Sequence, residues 1–359
     1  MMLLEDIRHL AISCGLSVKF ISEEKSAWAE TLLKCSYTPV TYTHASIDFQ
    51  WAYQRVHGRD WKDLSLIINW DNKPAALWPL SLADKDEEVI LGSHGFPLLP
   101  PLFVAGCPAS SRKRITKSCL DLARAIAKTA GINSWKSAES FNDKVGLSDW
   151  HAESMARGAT CILSHELFLD LRPDMTEIKS TFRNSYKSLI TAGMRTWSVG
   201  LLNTADVHIW NEFRELHLKA SGRKTRSDET WALHLQDIQA QQAFLVFLRN
   251  RDGEMVGGGF FNFTRDEGLY AVAAYNRSLF DKPLGHVVQY RAIEELKARG
   301  VRWYKIGARL YRSEIPAPTH KEISICEFKQ GFASHLFPRL VLSHPTAETI
   351  MLMNDGQLN

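Results

Sequence analysis

The 359-residue chain has no stretch near the roughly 20 consecutive apolar residues that span a bilayer, so no part of it reads as an integral membrane segment. Its start, Met-Met-Leu-Leu-Glu-Asp, carries acid where a secretory leader carries base, and no sustained apolar run follows. Cysteine is sparse and dispersed: six residues, at 14, 35, 107, 119, 161 and 326, with no C-x-x-C pair. That excludes the common zinc spacings and a compact disulfide framework. Reduced thiols in a cytoplasmic protein are the expectation. Neither charge sign dominates. The 43 Lys and Arg against 40 Asp and Glu leave a net charge of +3, too small to argue for bulk nucleic-acid binding. G-x-S-x-G, H-E-x-x-H, a Walker A loop and an EF-hand loop are all missing, and the histidines are scattered. Neither a metal nor a permanently bound cofactor is expected. Gly and Pro are spread along the chain, so no linker stands out.

What the chain does contain is one layout used twice. In the second half, Phe247–Arg249 leads through a turn at Asn250-Arg251-Asp252-Gly253 into the run Met255–Phe263. A turn at Arg265–Gly268 and the run Leu269–Tyr275 follow, then a helix near Gly285–Arg299, Gly300 and the strand Val301–Ile306. In the first half, Leu64–Trp70, Ala75–Leu82 and Val89–Leu91 are separated by turns at Asp71–Lys73 and Asp84–Glu87. A helix near Ser111–Ala130 then ends at Gly131 and runs into Ile132–Trp135. The fold class is therefore α/β (α+β): two similar domains, each a mixed, mostly antiparallel sheet flanked by helices. They are expected at 1–155 and 156–345, with a tail at 346–359, and a cleft between them suits two substrates.

Several segments carry candidate contacts. After a helix at Glu23–Lys34, a loop around Pro39 gathers Tyr37, Tyr42, Phe49, Trp51 and Tyr53, either as packing or as a wall for an organic substrate. The Gly- and Pro-rich run Gly92–Phe103 reads as a long apolar loop, with His94 as a candidate contact. Asp174 and Glu177 fit a capping box that opens a helix carrying Lys179, Arg183 and Lys187 at spacings of four, hence on one face. That face is either solvated or a dock for phosphate. A second basic cluster, Lys219, Arg223, Lys224 and Arg226, sits in a loop with Gly222, before a helix expected to be capped by Asp228. Met255-Val-Gly-Gly-Gly259 reads as a strand where a substrate backbone or thioester approaches closely, at Gly257 and Gly258.

Between a strand and a helix lies Asp281-Lys282-Pro-Leu-Gly285-His286-Val287. It resembles, in degenerate form, the loop with which acyl-CoA-binding acetyltransferases hold a pyrophosphate on backbone N–H groups and a helix N-terminus. Lys282, Gly285 and His286 are its candidate cofactor contacts. Further on come Phe328-Lys329-x-Gly331-Phe332, Arg183-Asn-Ser-Tyr-Lys187 running to Gly193, and Tyr275-Asn-Arg to Ile306-Gly307. In this order the elements resemble the FemAB-type aminoacyl and acyl transferases, which are built from two acetyltransferase-like (GNAT) domains. The resemblance covers the second domain and, more faintly, the first. No long heptad insertion is visible, so the chain is more similar to the acetyltransferase-like branch associated with surface polysaccharide genes than to the peptidoglycan-bridge branch.

The resemblance implies an acyltransferase without an acyl-enzyme. Lys329 and the adjoining Phe328 backbone would stabilise developing charge, and Tyr275 completes the catalytic candidates. Arg183 would hold an acceptor phosphate, with Lys187, Arg223, Arg226 and Tyr304 as further substrate contacts. The base is open between His286 and Glu327. Acyl-CoA is the expected co-substrate, and an amine on a nucleotide-linked sugar or envelope precursor the acceptor. Aminoacyl-tRNA as donor, and a non-catalytic glycan- or nucleotide-sugar-binding module, are the other readings.

Overall fold

The computed structural model describes residues 3–56, 58, 60–85, 88–139 and 148–345. Two compact units are present: Met1–Leu163 with Arg339–Asn359, and Ser164–Pro338. The first unit is thus discontinuous, where the sequence suggests two contiguous domains. The expected tail at 346–359 and the end of the turn expected at Asp84–Glu87 lie outside the described residues. Among the described residues no helix is long and apolar enough to cross a membrane.

The first unit opens with α1 (Leu4–Ser13), β1 (Ser17–Phe20), α2 (Lys25–Leu33) and α3 (His44–Val56). Helix α3 replaces much of the aromatic loop read from the sequence. The Ser46 N–H donates to the Thr43 hydroxyl at its start, and Phe49 and Tyr53, one turn apart, stack at 5.9 Å. Next come β2 (Asp60–Asp63), β3 (Leu66–Trp70), β4 (Lys73–Trp78), β5 (Ser81–Lys85), β6 (Glu88–Gly92) and β7 (Leu102–Phe103). They form two sheets, β1-β3-β4-β7 and β2-β5-β6. The single run read at Ala75–Leu82 is broken into β4 and β5, because Pro79 has no N–H for a ladder. The unit continues with α4 (Ala109–Thr129), β8 (Ser134–Ala138) and α5 (Asp149–Ala156). Buried Ile115, Cys119, Leu122, Ala123 and Ile126 recur at helical spacing along α4 and join the main core cluster with Leu66, Ile68 and Trp78. His94 is buried with its Nε2 3.0 Å from Asp63 Oδ1, a brace inside the unit rather than a group open to a ligand.

The second unit runs through β9 (Thr160–Asp170), α6 (Met175–Thr181), α7 (Asn184–Thr196), β10 (Ser198–Leu202), α8 (Val207–Ser221) and α9 (Asp228–Gln239). Strands β11 (Ala243–Arg249), β12 (Met255–Phe263) and β13 (Glu267–Tyr275) follow, then α10 (Leu284–Ala298), β14 (Trp303–Ala308), α11 (His320–Gln330) and β15 (His335–Pro345). Residues Val341–Pro345 of β15 pair with β8 in the first unit. The sheet order is β10-β11-β12-β13-β14-β9, antiparallel except for β13 and β14, which α10 connects in parallel. Helices α7 and α10 cover one face, with Ile190, Val287, Val288 and Leu296 in the core. Helices α8 and α9 cover the other with Trp210, Phe213 and Trp231.

The glycine run of β12 lets the helices come close. A Cβ at Gly258 would lie 3.0 Å from the Phe213 ring, and one at Gly259 would lie 2.8 Å from Val288. A Cβ at Gly257 would meet the Tyr275 ring at 2.9 Å. The room beside these glycines is filled by the protein's own side chains.

Candidate active site

Strands β13 and β14 pair in parallel only from Glu267↔Trp303 to Leu269↔Lys305. Past that point both are irregular. Ala271 is an extra residue in β13 opposite Phe260 and Phe261, and Ile306 is an extra residue in β14 opposite Leu167 and Phe168. The strands therefore part at their carboxyl ends, where open α/β sheets present ligand sites.

The bulge also decides which side chains meet. Tyr270 and Tyr275 are five apart, so a regular strand would point them to opposite faces. With Ala271 inserted they share the α10 face, and their hydroxyls lie 3.0 Å apart. Behind them the Tyr304 hydroxyl donates to Gln289 Oε1 at 2.6 Å. Burial pushes the Tyr270 phenol up to about 12, against the pull of its bonds to Tyr275 and Gln289. Burial raises Tyr275 and Tyr304 as well, so all three remain protonated donors at neutral pH.

Lys329 reaches this cluster from the last turn of α11. Its Nζ lies 5.3 Å from the centre of the Tyr270 ring. Gly307, at φ 142°, gives it room: a Cβ there would be 2.7 Å from the ammonium. Burial lowers the Lys329 pKa. Lys329 is half-buried, so its ammonium is partly shielded from water beside the parted strands, where a fixed charge acts more strongly than in the open.

Arg183 approaches the same turn of α11. The sequence places Lys179, Arg183 and Lys187 on one face of one helix, but the helix breaks between them. Phe182 is extended (ψ 150°) and buried against Phe332, with ring centres 5.2 Å apart. Core burial of that ring overrides the helical spacing. Arg183 then precedes α7, and its N–H donates to the Gly331 carbonyl at 2.8 Å. Its guanidinium donates to the Glu327 carbonyl at 3.0 Å and lies 5.1 Å from the Tyr186 ring. Tyr186 in turn donates to the Phe328 carbonyl at 3.1 Å. These bonds use carbonyls at the negative end of α11 and tie Arg183 to the segment that carries Lys329.

Phe328 packs on Tyr186, His286 and Phe332, with ring centres 5.9, 5.1 and 5.6 Å away. The missing Cβ of Gly285 admits the Phe328 ring at 3.0 Å, and Val287 packs over Gly193 of α7. Gly285 thus has a packing reason of its own. Helix α10 starts after Pro283 with no side-chain cap, which leaves its first N–H groups to be satisfied from outside the helix. Lys282 Nζ lies 5.8 Å from the Trp197 ring.

Burial, and then the nearby Arg183 charge, lower His286 to about 4, so it is neutral at pH 7. In the unfolded chain it would protonate at its ordinary value of 6.5. Below pH 6.5 the unfolded state therefore binds more protons, and stability falls as pH drops toward 4. Urea titrations across this range are expected to show a shallower pH dependence for His286→Gln than for the parent. Equal slopes would remove His286 as a contributor; His344, lowered to about 3 by burial, stays common to both proteins.

The structure does not bring every sequence candidate together. Lys187 lines a separate groove of about 450 Å³ with Lys179, Ser180 and Tyr290. Arg223 and Arg226 belong to the α8–α9 side of the sheet, opposite Lys329. Ser227, not Asp228, caps α9, accepting from the Thr230 N–H at 3.2 Å. Asp174 does cap α6, accepting from the Glu177 N–H at 2.9 Å. Sequence reasoning passed over Tyr186, Tyr270, Gln289 and Gly307 as site residues. Tyr186 and Gly307 lie in segments that carry the family resemblance, Arg183–Lys187 and Ile306-Gly307, whereas Tyr270 and Gln289 gave no signal.

No protein-family model and no curated protein matches the chain. Solved structures do. The crystal structure of FemX superposes with a TM-score of 0.68 over 94% of this chain and 99% of its own, at 12% identity. The chain has the FemX fold. L-PGS from Bacillus licheniformis shares it at TM-score 0.55 and 13% identity, over 92% and 95% of the two chains. So does a conserved protein of unknown function from Bacteroides thetaiotaomicron, at 0.56 and 9%, over 92% and 99%. The FemX likeness extends along nearly the whole chain, and the mixed, mostly antiparallel architecture read from the sequence is the observed one.

Proposed function

We propose that the protein is an N-acyltransferase. It moves an acyl group from a thioester donor, acyl-CoA, to an amine on a phosphate-bearing acceptor such as a nucleotide-linked sugar or envelope precursor. The observation that carries this reading is the half-buried Lys329 ammonium beside the parted ends of β13 and β14, between Gly307 and Tyr270.

The amine attacks the thioester carbonyl and the new C–N bond forms as the carbonyl oxygen gains charge. Lys329 stabilises that oxyanion. The C–S bond then breaks, and the leaving thiolate takes up a proton as the amine loses one. Tyr275, backed by Tyr270, is a protonated donor in reach of this region. Holding both substrates in line accounts for much of the rate, on the order of 7–11 kcal/mol at best. The start of α10 at Gly285 and His286, which has no side-chain cap, suits the pyrophosphate of the donor. Arg183 suits the phosphate of the acceptor. The fold shared with FemX and L-PGS supports an acyl- or aminoacyl-transfer reading, and an aminoacyl ester would meet the same Lys329.

Calorimetric titration with acetyl-CoA, with and without a UDP-amino sugar, tests the reading. Micromolar acetyl-CoA binding is the expected result. Arg183→Ala is expected to weaken acceptor binding by about ten- to a hundredfold while sparing the donor, because a charge-assisted phosphate contact is lost. Absence of CoA binding together with saturable, salt-sensitive binding of charged tRNA would transfer the assignment to aminoacyl transfer. Binding of neither donor would favour a non-catalytic module.

A further inference from the structure

The α8–α9 hairpin holds a feature that acyl transfer does not use. Helix α8 ends at Gly222, whose left-handed conformation (φ 71°) reverses the chain, and Ser227 starts α9 five residues later. The short reversal brings Arg214 of α8, Arg223, Lys224 and Arg226 of the loop, and Trp231 of α9 around one cavity of about 380 Å³. That volume is in the range of small-molecule sites. Trp231 is buried as a base, with the Arg214 and Arg226 guanidinium groups each 6.0 Å from its ring and His217 edge-on at 5.2 Å.

The lining contains four cationic side chains and two carboxylates, Glu215 and Asp228. Asp228 is clasped on both oxygens, by Lys224 at 3.2 Å and by Arg214. The Arg223 guanidinium is exposed on the lining, and among the described residues it makes no ion pair. An excess of two positive charges in a concave site with an aromatic base matches a phosphate dianion on a small organic group. An extended polyanion would need a stripe of charge, whereas these cations are gathered in one hollow whose lining includes Glu215 and Leu218.

We propose that this cavity is a second binding site, for a phosphomonoester of nucleotide size. It lies on the sheet face opposite Lys329, so its ligand is distinct from both substrates of the transfer reaction. The proposal stands whether or not that reaction is acyl transfer.

The test is titration of the full chain with ribose 5-phosphate and with AMP, followed by backbone amide shifts of residues 222–231 and by calorimetry. The expected result is saturable binding that perturbs these amides. Arg223→Ala should weaken it by about tenfold or more, from loss of a charge-assisted contact. Arg223 is exposed, so this variant should keep the parent fold, checked by an unchanged amide spectrum outside the loop. Arg183→Ala, on the other face, should bind the phosphomonoester as the parent does. Unsaturable binding, affinity unchanged in Arg223→Ala, or loss in Arg183→Ala would each overturn the proposal. So would much tighter binding of a single-stranded RNA with a steep salt dependence, which would mark the cavity as part of a nucleic-acid surface.

Discussion

Replacing Lys329 by Met is expected to lower kcat by about 10²–10³-fold, the usual cost of losing one charge-stabilising donor, with acceptor KM changed by less than about twofold. Met keeps the length and apolar stem of the side chain, so the change isolates the ammonium. Gly307→Ala supplies an independent check with Lys329 still present. The new Cβ would lie 2.7 Å from Nζ, at a φ of 142° that side-chain-bearing residues avoid, so the ammonium must move away. Both variants should lose turnover and retain donor binding. Steady-state kinetics with a thiol-release readout would decide it. A Lys329→Met enzyme with kcat within about threefold of the parent would make the lysine structural and remove the central observation behind the proposed chemistry.

Phe332→Ala is expected to destabilise the Ser164–Pro338 unit by about 3–5 kcal/mol, the range for truncating a fully buried aromatic. Phe332 has no exposed surface and touches four rings: Phe182, Tyr186, His286 and Phe328, at centre distances of 4.9 to 6.2 Å. Removing it empties the point where α7, α10 and α11 meet, and with it the reason for the break at Phe182. Arg183 should lose its bond to Gly331 as a result. Phe332→Leu, closer in volume, should cost less than about 1.5 kcal/mol. Urea unfolding of the three proteins provides the comparison, and a loss under about 1 kcal/mol for Phe332→Ala would show that the cluster can collapse around the gap.

These two residues also mark what could be read from the chain. Strand β12 and the turns on either side of it are legible because Asn250–Gly253 and Arg265–Gly268 bracket an apolar run. Helix α10 is legible from Gly300 at its end and Pro283 before its start. Lys329 and Arg183 are legible only through resemblance. Nothing in their local spacing shows that Phe182 will leave its helix for Phe332, a ring 150 positions on. The partnership of Tyr270 with Tyr275 is hidden in the same way. It depends on Ala271 being extra, and an extra residue is a relation between two strands, not a property of one.

The discontinuity of the first unit has a consequence for how the protein is made. Strand β8 finds its partner in Val341–Pro345, and the bond between Ser137 and His344 joins residues 207 apart in sequence. On a ribosome adding about 5–20 residues per second, β8 emerges roughly 10–40 s before the strand that completes its pairing. During that interval Trp135, which finally stacks on His344 at 3.6 Å, is without its cover. Strands β10 to β14 of the second unit have all been made by then, so the amino-terminal unit closes last, and a chain released early is left with an open edge there.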